Sequence, residues 1–243
     1  MKKFLLKLCS NFIFNRAKRR AWRAFHCSNA AQRGNRVWII KDGKKEPLKH
    51  VIPGLELLMN ASNAQVEIAY PWNMENAYLK IGTDNAKVYI GPNTKLKNVQ
   101  INLDCGHDQT LFIDDGATFE GAKIWIFENS GLHIGKGCMF SDEIHIMTGD
   151  GHAVQDMATG QYLNVDFHKL VIGDYVWCGR GAFITKNAQI PSHSIIGARA
   201  VVTKAFTEGH TALGGNPAKI IKRGLTWHRL TAAQMLQKEP ENK

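Results

Sequence analysis

His152 follows Gly149, Asp150 and Gly151 in a stretch that fits no repeat of the chain. An imidazole titrates near neutrality, so it can take a proton from an attacking hydroxyl and pass it to a leaving group. A nearby carboxylate can select its tautomer and stabilise the imidazolium, and Asp150 stands two residues away. Flanking glycines keep such a ring accessible on a loop. His152 is therefore the candidate general base, and Asp150 is a candidate, among the insert's carboxylates, for the group that orients it. The chain has ten histidines, and the others sit in less promising places. His26, His50, His210 and His228 lie near the ends, and His107 and His133 in or near irregular stretches. His145 and His193 take outward or corner positions of a repeat, and His168 marks the return of the loop.

The elements around this loop are set by a strict period. Ile172, Cys178, Ile184, Ile190, Ile196 and Val202 are six residues apart, and four positions after each of the first five stands Val176, Ala182, Ala188, Ser194 or Ala200. A helix would mix spacings of three and four, and an ordinary strand would alternate. Period six with a small second residue predicts a parallel β-helix of three flat faces, one hexapeptide per face. The ladder extends upstream through Ile134, Phe140 and Ile146, and earlier pieces (Ile113 and Phe119; Ile90 and Leu96) are out of phase, which calls for intervening loops. Between Ile146 and Ile172 the period fails, so loop 147–171 is extruded from a corner. The chain divides into a basic segment 1–36, an irregular cap with the first coils 37–80, the β-helix 81–224, and a helix and tail 225–243. Val37–Ile40 before Lys41-Asp42-Gly43-Lys44 reads as a hairpin, and Leu225–Gln237 as a short helix.

Charge is unevenly placed. The net +10 resides entirely in the first 36 residues, which hold ten Lys or Arg and no acid. The rest is balanced, which argues against a nucleic-acid-binding body. Phe4, Leu5, Leu8, Phe12 and Ile13 at helix-like spacing, beside Arg16, Lys18, Arg19, Arg20 and Arg23, read either as an interfacial helix on anionic lipid or as a capping helix. No apolar run reaches the roughly 20 residues of a spanning helix. Lys7 interrupts the stretch that a signal peptide would need. Five cysteines without CxxC spacing indicate neither a disulfide framework nor a zinc site, so the expected setting is the cytoplasm, with peripheral association at the inner membrane face under the lipid reading.

Three pieces of the sequence carry a family resemblance. Asp150-Gly151-His152 followed by Ile172-Gly173-Asp174-Tyr175-Val176-Trp177-Cys178-Gly179, then Val201-Val202-Thr203-Lys204, then Gly215-Asn216-Pro217-Ala218-Lys219 resemble the motifs of hexapeptide-repeat acyltransferases that use acetyl-CoA. Within that family the chain is most similar to bacterial sugar O-acetyltransferases of capsule, sialic-acid and O-antigen clusters. The resemblance implies a left-handed β-helix, a homotrimer with sites between neighbouring chains, acetyl-CoA as donor, no metal, and a sugar or polysaccharide acceptor. It implies that His152 deprotonates the acceptor hydroxyl and that Trp177 shapes the acetyl and acceptor pocket. It places the pantetheine arm by Gly179, Ala182 and Ala198, and the phosphates by Thr203, Lys204, Lys219 and Lys222. The chain departs from the pattern in Cys178, where Ile is usual, and in one extra residue within 208–214. N-acetylation of an amino or nucleotide sugar uses the same fold and stays open beside O-acetylation, as does a catalytically silent scaffold. A carbonic-anhydrase-like metal site would need histidine spacings that His107, His133 and His145 lack.

Overall fold

The computed structural model describes residues 33–238. The apolar and basic set of residues 4–25, and with it the membrane reading, lies outside the described residues. Among those described, no helix is long and apolar enough to cross a membrane.

The period of six becomes three parallel sheets that form the faces of a β-solenoid of about seven turns. Face one holds β1 (Arg36–Lys41), β2 (Lys44–Pro47), β4 (Gln65–Ala69), β7 (Lys87–Ile90), β10 (Thr110–Ile113), β13 (Gly131–Ile134), β16 (Leu170–Ile172) and β19 (Gln189–Ile190). Face two holds β5 (Trp72–Glu75), β8 (Thr94–Lys97), β11 (Thr118–Phe119), β14 (Met139–Phe140), β17 (Trp177–Cys178), β20 (Ile195–Ile196), β22 (Thr211–Gly214) and β23 (Lys219–Arg223). Face three holds β3 (Leu55–Met59), β6 (Ala77–Ile81), β9 (Val99–Leu103), β12 (Ala122–Ile126), β15 (Ile144–Met147), β18 (Phe183–Ile184) and β21 (Val201–Val202). Each circuit runs from face one to two to three.

The interior follows the ladder. Ile172, Cys178, Ile184, Ile190, Ile196 and Val202 are at most 2% exposed, and their small partners are fully buried. Phe119 and Phe140 stack at 4.3 Å in adjacent coils. Cys138 and Cys178 fill ladder positions as hydrophobes; burial pushes the Cys138 thiol up to about 12 and raises Cys178 as well.

Coil length explains why the repeat is legible only in places. Asp174 lies over Ser192, 18 residues later, which is three hexapeptides. In the earlier coils Asn76 lies over Asn98 and Asn93 over Asp115, each 22 residues on. The extra residues lengthen strands and corners, and Asn76, Asn93 and Asn98 take the left-handed backbone conformation that asparagine tolerates. Within residues 37–80, where the first coils were expected, β1 pairs with β4 and β3 with β6 in parallel.

Both ends are closed by antiparallel pairs. The expected hairpin is β1–β2, turned through Asp42 and Gly43 at positive φ, and its outer strand Lys44–Pro47 is short, charged and ends in proline. Such features keep an edge from pairing with another chain. At the other end β23 folds back on β22. The C-terminal helix is shorter than expected: α1 covers Ala232–Lys238, and residues 225–231 run along the outside of the solenoid.

Candidate active site

The extruded loop leaves the corner between faces three and one, after β15, and returns at β16. Its root is tightly fixed. Buried Thr148 accepts the Phe127 N–H at 3.0 Å through its hydroxyl, which also pairs with Ser130 Oγ at 2.6 Å. A Cβ on Gly149 would come within 2.8 Å of Phe127 Cβ and would displace the Glu128 carboxylate. Glu128 lies at the same corner one coil below. Burial, reinforced by the charge of Asp150, raises its carboxyl above the usual range, and its Oε2 has no hydrogen-bond partner among the described residues.

Asp150 and Asn164 tie the loop together. Burial alone would raise Asp150, but its ion pair with Lys186 and the bond from Asn164 Nδ2 (2.8 Å) outweigh it and hold the carboxyl below the usual range. The same Asn164 amide donates to the His152 carbonyl at 2.8 Å, and its Oδ1 accepts the Val154 N–H at 2.8 Å. The His152 backbone is thus pinned from across the loop, while its exposed ring makes no hydrogen bond among the described residues. Asp150 is turned toward Lys186 and Asn164 rather than toward the imidazole; it shapes the loop that presents the histidine. Beyond this clamp the insert forms a small hairpin, with Gln155 bridged to Tyr162 and Asp156 accepting the amides of Ala158 and Thr159. The hairpin holds Met157, Tyr162, Leu163 and Val165 in solvent, each more than half exposed.

Trp177 lies elsewhere in the chain's geometry. It stands outward on β17, flanked by Met139 and Ile195 in the parallel register, and is 36% exposed. Its indole meets that of Trp227 at 6.3 Å. His152 hangs from the opposite corner, and no contact joins the two residues among those described.

The C-terminal end brings two of the predicted cations together. Lys204 and Lys219 line a cavity of about 470 Å³ with Phe206, Ile220, Arg223 and Glu208. Glu208 is paired with Arg223 at 3.0 Å, which leaves two lysines facing the space, the local charge that polyphosphate requires. Thr203 and Lys222 are exposed but do not line it. Gly179 stacks so closely under the next coil that a Cβ would come within 2.8 Å of the Ala198 amide. Ala182 packs its side chain in the core; its amide donates to the Gly179 carbonyl and its carbonyl accepts the His145 amide, just as the Gly179 amide donates to the Ile196 carbonyl. Lys186, Asn164 and Trp227 were not assigned roles by sequence reasoning. An asparagine within the insert and a tryptophan in the C-terminal segment were the available signals.

No family model matches the chain. It is 30% identical over 170 residues to the polysialic acid O-acetyltransferase of Neisseria meningitidis, covering 61% of this chain and 78% of the relative. It is 31% identical over 121 residues to a polysialic acid O-acetyltransferase of Escherichia coli O1:K1, covering 50% of this chain but only 38% of that protein's length. Among solved structures, the polysialic acid O-acetyltransferase OatWY superposes with a TM-score of 0.69 at 24% identity, over 79% of this chain and 92% of the other. The solenoid is thus the left-handed β-helix of hexapeptide-repeat acetyltransferases.

Proposed function

This chain belongs to the family of polysialic acid O-acetyltransferases, and on that premise we propose that it transfers the acetyl group of acetyl-CoA to a hydroxyl of a bacterial capsular polysaccharide, a sialic-acid polymer first among them. The observation that carries the reading is the clamp on the loop around His152. Asn164 and the Asp150–Lys186 pair fix the backbone on either side of an exposed imidazole, which is what a base working on an external hydroxyl needs.

In the reaction His152 accepts the hydroxyl proton as the sugar oxygen bonds to the thioester carbon. The tetrahedral intermediate collapses by breaking the carbon–sulfur bond, and the imidazolium returns the proton to the departing CoA thiolate. The indole N–H of Trp177 is suited to donate to the carbonyl oxygen while that oxygen bears negative charge. Lys204 and Lys219 would meet the CoA phosphates in the C-terminal cavity, with Thr203 and Lys222 on its approach. Backbone groups near Gly179, Ala182 and Ala198 would meet the pantetheine arm.

The separation of the two key side chains supports a homotrimer. His152 and Trp177 belong to different sides of one prism, so a site holding both takes one residue from each of two chains. The exposed apolar side chains of the hairpin at Met157, Tyr162 and Leu163 support burial against a neighbouring copy, and head-to-tail contacts close into rings. Under this reading the basic segment 1–24 would hold the enzyme at the anionic inner membrane face where capsule is made.

Subunit complementation tests the arrangement. His152→Ala alone is expected to lose about 10² to 10⁴ in rate, the usual worth of a general base, with trimer formation and CoA binding intact. Mixed trimers of His152→Ala and Trp177→Ala chains should regain activity, because some interfaces then pair an intact histidine with an intact tryptophan. Near-wild-type activity of His152→Ala, or no recovery on mixing, would sink the reading. Acetylation confined to acceptors with free amines would favour the N-acetyltransferase instead.

A further inference from the structure

After β23 the chain runs back along the outside of the solenoid, and its residues there do more than trail. Arg229 reaches the corner between faces one and two. Its Nη1 donates to Thr118 Oγ1 at 2.9 Å, and its Nη2 to the carbonyls of Gly116 (2.9 Å), Gly137 (3.0 Å) and Cys138 (3.1 Å). One guanidinium thereby joins two successive coils. The notch it enters exists because the corner row changes character along the axis. Gly116 and Gly137 take positive φ without side chains, whereas the next corners are Tyr175, His193 and His210, also at positive φ, with rings stacked at 5.3 and 4.7 Å. A Cβ on Gly137 would come within 2.6 Å of the Tyr175 ring.

Between this anchor and β23 lies Trp227. Its indole N–H donates to the Tyr175 carbonyl at 2.6 Å, its ring is 5.9 Å from the Arg229 guanidinium, and it meets Trp177 at 6.3 Å with planes tilted by 42°. His210 Nδ1 lies 3.2 Å from the Leu225 carbonyl and ties down the start of the segment. Trp227 is therefore held by its own hydrogen bond and by the anchored Arg229 guanidinium beside its ring, which together fix the face it presents to Trp177.

We propose that the segment 225–231 is a clasp on the active site, in which Arg229 locks the chain into the Gly116–Gly137 notch and Trp227 holds the Trp177 indole in its working orientation. Trp227 and Arg229 are positioning residues for acetyl transfer. This rests on the reading that Trp177 faces the thioester. An indole free to turn would point its N–H away from the oxygen on which charge develops, and misplacement of a catalytic group by about 1 Å can cost about 10²-fold.

The test uses the full-length chain with the variants Trp227→Phe, Arg229→Ala, Arg229→Lys and Trp177→Phe, singly and with Trp227→Phe combined with Trp177→Phe. Arg229→Ala and Trp227→Phe should lower kcat about ten- to a hundredfold and leave KM for acetyl-CoA unchanged, because the donor's cations lie at the far cavity. Arg229→Lys should not rescue, since an ammonium cannot reach four acceptors spread over two coils. The indole pair should give a coupled near-ultraviolet circular dichroism signal that disappears equally in Trp227→Phe and Trp177→Phe. In the Trp177→Phe background, Trp227→Phe should have no further effect on kcat. Additive losses in the double variant, or unchanged kcat in Trp227→Phe while Trp177→Phe is impaired, would overturn the clasp and leave the active-site reading standing. If Trp177→Phe itself keeps full kcat, the reading of Trp177 fails and the clasp's role in catalysis fails with it. Should Arg229→Ala not fold, Trp227→Phe, which keeps a ring against Trp177, decides by the same criteria.

Discussion

Replacing Asn164 with alanine should separate the loop's function from the solenoid's stability. The side chain makes three hydrogen bonds at 2.8 Å: to the Asp150 carboxylate, to the His152 carbonyl and from the Val154 amide. Intramolecular hydrogen bonds contribute about 0.5 to 1.5 kcal/mol each, and these are exposed, so the low end applies and the closed loop should lose about 1.5 to 2 kcal/mol. With each 1.36 kcal/mol equal to a factor of ten, acetyl transfer should fall about ten- to thirtyfold as the fraction of correctly placed His152 drops. The melting temperature should not move, because residues 148–169 project from a corner and contribute only buried Thr148 and Gly149 to the packed body. Asn164→Asp should be worse than alanine: it keeps the acceptor for Val154 but sets a second carboxylate against Asp150, and added salt should recover part of that difference. Steady-state kinetics with acetyl-CoA, paired with thermal melts of both variants, checks this. Activity of Asn164→Ala within twofold of wild type would refute the clamp, and a lowered melting temperature matching the activity loss would show a fold-wide role instead.

Glu128→Gln should stabilise the protein near neutrality. Its carboxyl is raised in the fold by burial and by Asp150, so the stability it contributes is fully present below the usual carboxylate value of 4.5 and is lost as pH rises through the higher folded value. The variant's gain in melting temperature should therefore be seen at about pH 8 and vanish at about pH 4. Phe140→Ala removes half of the stacked pair with Phe119 from a site where both rings are at most 1% exposed. It should cost about 3 to 5 kcal/mol, measured as a shift of the denaturant midpoint, and a loss under about 1 kcal/mol would mean that the coils collapse around the gap.

What could be read from the sequence follows from how far apart the interacting residues lie. The ladder from Ile172 to Val202 is legible because 18-residue coils convert each face into one hexapeptide. The coils before Ile113 show it only in the out-of-phase piece at Ile90 and Leu96, because their 22-residue circuits shift the phase and turn on Asn76, Asn93 and Asn98 rather than glycine. The β1–β2 hairpin was visible in Asp42-Gly43, since two adjacent residues determine that turn. His152 was visible as a break in a regular pattern. Its supports were not: Lys186 is 36 residues from Asp150, and Arg229 is 113 residues from Gly116. A solenoid brings such residues together one coil at a time, and no local pattern records the meeting.

Acetyl transfer onto intact polymer tests the central claim most directly. Purified full-length protein would be incubated with acetyl-CoA and polysialic acid, with the released CoA thiol measured alongside O-acetyl ester signals in the proton NMR spectrum of the polymer. Thiol and base-labile ester should form in equal amounts with the wild type and in neither case with His152→Ala. Thiol release without ester on the polymer, or ester formed as fast by His152→Ala, would contradict the account.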